Sequence, residues 1–135
     1  MAHGDVESFM KALGAYNRHD LAGFVEVCDP GVESYPATAA AEGGAYRDHE
    51  GIKQWFENVH AAFEEIQAEA DDVRDLGDRL LAFGRVHARG VGSGVEIDTE
   101  MAWVAEFRDG RLARWRSYTS HAHALDAAGL GDERA

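Results

Sequence analysis

The chain is poorest in cysteine, with one residue in 135, Cys28. A single thiol excludes an intramolecular disulfide. Positive charge is also scarce: 13 Lys and Arg stand against 25 Asp and Glu, a formal net charge of -12. Such a surface repels phosphate backbones and anionic lipid heads, so no nucleic-acid or membrane partner is expected and a neutral or weakly charged ligand is favoured. No apolar run is long enough for a signal peptide or a membrane span, and the protein is expected to be cytoplasmic. No Gly-rich phosphate loop follows a strand, and the histidines do not group into a ligand set, so no cofactor is expected, neither nucleotide nor metal. His121 and His123 form an H-x-H pair of metal-ligand character, but no third ligand stands beside them. Repeats, low-complexity segments and linkers are absent as well, which leaves one domain over residues 1–135.

What is present supports a real core: 45% of the residues are hydrophobic and 10% aromatic, the profile of a globular protein. Val6, Phe9, Met10, Leu13 and Tyr16 recur at helical spacing and predict an amphipathic helix over 5–17. Asp20 is placed to cap a second helix whose Leu21, Phe24, Val25 and Cys28 share a face, with "DPG" at 29–31 as its stop. Cys28 reads as core rather than nucleophile, because nothing nearby would lower its pKa. "VESYP" reads as a short strand and "ATAAAEGGAYR" as a loop. Asp48 is placed to cap a third helix with Ile52, Trp55, Phe56, Val59 and Phe63 on one face and His60 on its flank. From Ile66, Ala68 and Ala70 onward the period is two, and residues 79–89, 95–107 and 111–121 read as three long strands. Helices followed by a meander of strands predict an α+β fold, a curved antiparallel sheet with the helices on one face.

In residues 95–107 one register collects Val95, Ile97, Thr99, Met101, Trp103, Ala105 and Phe107, which face the helices; the other carries Glu96, Asp98, Glu100 and Glu106. Gly110 in "FRDGRL" suits a three-residue hairpin loop that pairs Phe107 with Arg111. Trp103 is then expected opposite Trp115 at ring-contact spacing, Met101 opposite Ser117 and Thr99 opposite Thr119, all inside, with Arg114, Arg116, Tyr118 and Ser120 outside. Arg85, His87 and Arg89 alternate against Leu80, Ala82, Gly84 and Val86; the "GVGSG" loop leaves their register open, and the polar set reads as outward. Val104, Leu112 and Tyr118 place apolar area on the outer face, and a homodimer is expected there.

"YNRHDLAGF", "VESYP", "YRDHEGIKQWF", "GVGSGVEID", "FRDGRLARW" and "ALDAAGL" occur here in an order and spacing that resemble the SnoaL-like branch of the nuclear transport factor two-like superfamily. The resemblance covers about residues 5–130 and implies a cone, the curved sheet wrapped around three helices. Function is less constrained, because the superfamily holds polyketide cyclases, ketosteroid isomerases, epoxide hydrolases, dehydratases and binders. Carried across, the isomerase carboxylate base falls on Tyr35, its protonated acid on Trp103, and its helix tyrosine near Ala12. The cyclase acid/base aspartate falls on Ser117 and its histidine on Trp103. None of these residues can play the carried-over role, and a serine without a partnered base cannot take a proton from carbon near neutral pH. A slip of one in the first strand would bring Glu33 or Ser34 to the place of Tyr35.

A pocket walled by Trp55, Val59, Thr99, Met101, Trp103, Trp115, Ser117 and Thr119 is expected to bind a hydrophobic small molecule carrying one or two oxygens. Tyr35, with His60 or His121, is the candidate acid/base pair at its mouth. Ser117 and His121 lie about 13 Å apart along a strand, too far for a direct hydrogen bond. Two functions follow: a cofactor-independent acid/base enzyme of cyclase, isomerase or dehydratase type, or a non-catalytic binding or accessory protein of the same fold. A structural dimer without ligand is a third.

Overall fold

Three apolar stripes become three helices, and the period-two segments become one sheet. The computed structural model describes residues 2–35, 46–77, 79–119, 121, 122 and 124. Residues 36–45, which carry most of the expected small-residue loop, lie outside the described residues, as do Ser120, His123 and the closing segment from Leu125. The elements run α1 (Ala2–Asn17), α2 (Leu21–Val27), β1 (Cys28–Tyr35), β2 (Tyr46–Arg47), α3 (Asp48–Ala62), β3 (Phe63–Asp75), β4 (Leu80–Gly90), β5 (Glu96–Arg108) and β6 (Arg111–Tyr118). The fold is α+β, and the sheet order is β2-β1-β6-β5-β4-β3. Every pair is antiparallel except β1 with β6, which is parallel, so the sheet is mixed rather than the antiparallel one expected.

Helix α1 buries Phe9, Ala12, Leu13 and Tyr16, whereas Met10, expected in the same stripe, is 44% exposed. Asp20 caps α2 by accepting a hydrogen bond from the Gly23 amide at 3.0 Å, a cap worth about 1 kcal/mol. The helix stops at Val27 because Cys28 is already extended, and "DPG" belongs to β1, where the register shifts between Cys28 and Glu33. Asp48 closes the first turn of α3 by accepting from the Glu50 and Gly51 amides at 3.0 and 3.2 Å. Phe63, read as the last residue of that helical stripe, is the first of β3.

Helix α3 packs against β1 and β2 at one edge of the sheet and against β3 at the other, while α1 reaches β3 and β6. The sheet therefore curls around the helices without closing. Its free edge, β3, is held by α1: the Asn17 amide donates to the Ala68 carbonyl at 2.8 Å and accepts from the Ala68 amide at 2.7 Å. One side chain thus satisfies both edge groups that another strand would otherwise pair. Between β3 and β4 a bulge after Ala70 brings the backbone so close to Gly84 that a Cβ there would lie 1.7 Å from the Glu69 carbonyl oxygen, so only glycine fits. Arg85, His87 and Arg89 face outward: Arg85 pairs with Asp98 at 2.8 Å and Arg89 with Glu65 at 2.9 Å, and the His87 ring lies between Glu69 and Asp98 at 3.5 Å from each.

The β5–β6 hairpin turns on two residues, Asp109 (φ 52°) and Gly110 (φ 79°), the positive-φ pair a tight hairpin favours, and Arg108 pairs with Arg111. The expected three-residue loop is therefore replaced, and a bulge sits instead at Ala113, between the pairs Phe107–Leu112 and Glu106–Arg114. The bulge lets both Leu112 and Trp115 face inward although they are three residues apart. Trp103 lies opposite Ser117, and Trp115 opposite Ala105, two residues away from the pairing expected. Outside, Leu81, Phe83, Ala102 and Val104 form a second cluster covered by Leu76, Tyr118 and Ala124. Of the three residues expected to meet a second subunit, Leu112 is in the inner core and Val104 is covered by its own chain.

Candidate functional site

Curling the sheet around the helices leaves a cavity of about 320 Å³ on the concave side. Leu13 and Tyr16 of α1 and Trp55 and Val59 of α3 form one wall. Phe63, Ile66 and Ala68 of β3, Val86 and Ala88 of β4, Ile97, Thr99, Met101 and Trp103 of β5, and Trp115 and Ser117 of β6 form the other. Hydrocarbon and aromatic rings dominate, and no Asp, Glu, His, Lys or Arg lines it among the described residues. Aromatic contacts stiffen the walls: Tyr16 stacks on Trp55 at 5.7 Å, and Phe9 packs between Trp103 and Trp115 at 6.5 and 5.5 Å. The two tryptophans thus touch Phe9; no Trp103–Trp115 ring contact is found among the described residues.

Three hydroxyls line the cavity beside the indole N–H groups of its tryptophans. The Trp115 indole N–H donates to Ser117 Oγ at 3.1 Å. Thr99 turns its hydroxyl toward the Glu100 carbonyl at 3.4 Å, a long contact. Tyr16 is 8% exposed, its phenol makes no hydrogen bond to the described residues, and burial pushes its pKa well up, so it stays protonated.

Seven of the eight residues expected to bind ligand line this one cavity: Trp55, Val59, Thr99, Met101, Trp103, Trp115 and Ser117. Thr119 does not; it is exposed, one residue past the end of β6. None of the three expected catalytic residues lines it, and they do not meet one another. Tyr35 lies on the outer face with Arg114 and Arg116, because Val32 and Ser34 hold the inward positions of β1. Its hydroxyl donates to the Glu33 carboxylate and its ring lies 4.6 Å beneath the Arg116 guanidinium. The Tyr35 hydrogen bond, helped by Arg114, Arg47 and Arg116, holds the Glu33 carboxyl below its ordinary value against the opposing pull of desolvation. The inward residue near the strand end is Ser34, 1% exposed, whose Oγ has no partner among the described residues.

His60 is a structural tie. Its Nδ1 faces the Phe56 carbonyl at 2.8 Å and its Nε2 the Tyr16 carbonyl at 2.9 Å, and its ring stacks on His19 at 4.1 Å. It borders a separate pocket of about 410 Å³ beside Asn17, His19 and Gln67. His121 lies on the convex side: the chain leaves β6 at Tyr118, and the ring sits 4.8 Å from Phe83 with Nε2 3.2 Å from the Met101 carbonyl. Cys28 is buried, donates to the Phe24 carbonyl at 3.3 Å, and its thiol is pushed up to about 12 by burial and then by Asp29. No group of three or more His, Cys, Asp and Glu that could hold a metal occurs among the described residues. Among the described residues no helix is long and apolar enough to cross a membrane.

Tyr16 is the polar cavity residue that sequence reasoning passed over as stripe filler. The available signal was chemical: a tyrosine rather than a phenylalanine in the last turn of a core stripe carries a hydroxyl that needs a partner once buried.

The family model for the SnoaL-like domain matches residues 6–115. No curated protein matches the chain. Among solved structures, a putative SnoaL-like polyketide cyclase from Jannaschia sp. CCS1 is similar at 16% identity and TM-score 0.77, covering 93% of this chain and 92% of that one. TerC, co-crystallised with polyporic acid, is similar at 18% identity and TM-score 0.77 over 96% and 98% of the two chains. A protein of ketosteroid isomerase-like fold from Catenulispora acidiphila, in complex with trimethylamine, is similar at 16% identity and TM-score 0.76 over 92% and 93%. At these identities the likeness is one of fold. With the domain model spanning most of its length, this protein belongs to the SnoaL-like domain family.

Proposed function

We propose that this chain binds an uncharged, largely apolar metabolite in the concave cavity, and that it acts as a binding or accessory protein rather than as an acid/base catalyst. One observation carries the reading: Tyr16 is the only titratable group on the cavity wall among the described residues, and burial keeps its phenol protonated. Apolar walls reward burial of ligand surface by about 25 cal/mol per Å², and a few hydroxyls suffice to orient the molecule. Proton abstraction from carbon needs a base within hydrogen-bond reach of the substrate. Tyr35, His60 and His121 are each turned elsewhere. The bound molecules in two structural neighbours, polyporic acid and trimethylamine, support small-molecule binding as the general role of the fold.

The enzyme reading, a cyclase, isomerase or dehydratase, has one feature in its favour: a protonated Tyr16 can polarise a ligand carbonyl. One experiment separates the two. All three tryptophans of the chain line the cavity, so their fluorescence reports on occupancy. Titration with 2-tetralone should quench it saturably, while exchange of the ketone's α-protons in deuterium oxide should run no faster with protein than without. Acceleration that disappears in Tyr16→Phe would establish the enzyme instead, and absence of saturable binding would remove both readings.

The homodimer is also proposed, on narrower ground than the sequence offered: the outer side of β6 presents Tyr118 and the Arg116–Tyr35 stack, only half-buried by their own chain. A single sedimenting monomer at micromolar concentration would remove it.

A further inference from the structure

The cavity's hydroxyls differ in what they have left to offer a ligand. Ser117 Oγ already accepts the Trp115 indole proton at 3.1 Å, so its own proton is the part still to be placed, and the incoming bond polarises that O–H. Tyr16 is nine-tenths buried, stacked on Trp55 from the helix side, and its phenol makes no hydrogen bond to the described residues. A phenol on the cavity wall that no described protein group engages keeps its hydrogen bonds for a ligand. Burial holds this phenol in its protonated, donating form. Thr99 turns its hydroxyl toward the Glu100 carbonyl at 3.4 Å. Tyr16 and Ser117 thus each keep a proton to give, and among the described residues no cationic side chain lines the cavity to neutralise an anion.

We infer that Tyr16 and Ser117 act as a pair of hydrogen-bond donors, one on the helix wall and one on the sheet wall, that select neutral, flat ligands bearing carbonyl-type acceptor oxygen. The inference rests on the binding reading above and deepens it: apolar area sets how tightly a molecule enters, and the donors set which one. Tyr16 stands apart from the place near Ala12 to which the resemblance carries a helix tyrosine, whereas Ser117 holds the place to which it carries the cyclase aspartate, and offers a hydroxyl proton there instead of a base. The Trp115 indole is a positioning group that acts through Ser117.

Three tricyclic probes of one shape test this: fluorene, with no polar atom; 9-fluorenone, with one acceptor oxygen; and 9-aminofluorene, a cation when protonated. Each is titrated into the intact protein by tryptophan fluorescence. Fluorenone should bind about tenfold tighter than fluorene, the ratio that one or two buried hydrogen bonds give, and 9-aminofluorene should bind weakest. Tyr16→Phe and Ser117→Ala should each shrink the fluorenone preference, and the double variant should bring it to about one while still binding fluorene. Bound fluorenone should show its carbonyl stretch at lower frequency in the native protein than in the double variant, a change that a packing role alone would not produce. Trp115→Phe should raise that frequency part of the way. Equal affinity for fluorene and fluorenone would overturn the donor pair and leave the binding reading standing. Tightest binding by 9-aminofluorene would replace it with recognition of a cation by aromatic faces. If no probe binds, the binding reading fails and the donor pair with it.

Discussion

Asn17 is the side chain on which α1 and the free sheet edge depend most directly, and Asn17→Ala should show it. The amide group makes two bonds to one residue, to the Ala68 carbonyl at 2.8 Å and from the Ala68 amide at 2.7 Å, while the Gln67 side chain donates to the Asn17 carbonyl at 2.9 Å. Truncation removes the first two. Ala68 is 4% exposed, so its backbone groups lose their partners where water reaches them poorly. At about 1 kcal/mol per lost bond, with a further cost for the stranded groups, the expected loss is about 2 to 3 kcal/mol. An unfolding entropy of about 2.1 cal/mol/K per residue makes 1 kcal/mol worth about 3.5 °C in a chain of this length, so Tm should fall by about 7 to 10 °C. Calorimetry reads the shift, and amide hydrogen exchange reads the cause, because the Ala68 N–H should move from strongly protected to fast. An unpaired β3 edge should also make the variant prone to association as its concentration rises. A fall below 2 °C, or an Ala68 amide that remains protected, would refute the idea that this side chain replaces a neighbouring strand.

Other substitutions address the cavity wall, the buried thiol and the outer face. Trp103→Ala should cost about 3 to 5 kcal/mol in urea denaturation, because Trp103 is 3% exposed and packs on Phe9, and it should weaken ligand binding together with stability. Cys28 should resist thiol reagents at pH 8 in the folded protein and react only after denaturant is added, since its thiol is pushed up to about 12. Glu33→Gln should be less stable than the native chain at neutral pH. The Glu33 carboxyl has a folded pKa below its unfolded one, so its contribution is present above the unfolded carboxylate pKa and is lost as pH falls through the folded value. The gap between variant and native melting temperatures should therefore close below about pH 4, and a gap independent of pH would refute the charge argument.

Much of the architecture was legible because it is written locally. The 3.6-residue stripes of α1 and α3, the Asp20 and Asp48 caps, and the inner row Thr99, Met101 and Trp103 all follow from side-chain period and from backbone groups that need partners within a few residues. Strand parity carried the cavity wall too: Trp115 and Ser117 face inward as the alternation implied, even though the hairpin loop is shorter than expected and a bulge at Ala113 shifts the partners by two. What tertiary structure alone decided is non-local. Whether Ser34 or Tyr35 faces inward depends on how β1 docks in parallel on β6, across a separation that no local period reports. Leu112 turned inward because a bulge inserts one residue and reverses parity on one side of it. His60 stands on the flank of an apolar stripe, yet its two nitrogens find carbonyls of α3 and of α1, and only helix packing brings that second carbonyl within reach. Tyr16 sits in a core stripe like any apolar neighbour. It comes to line a cavity only because the sheet curls far enough to leave space beside it.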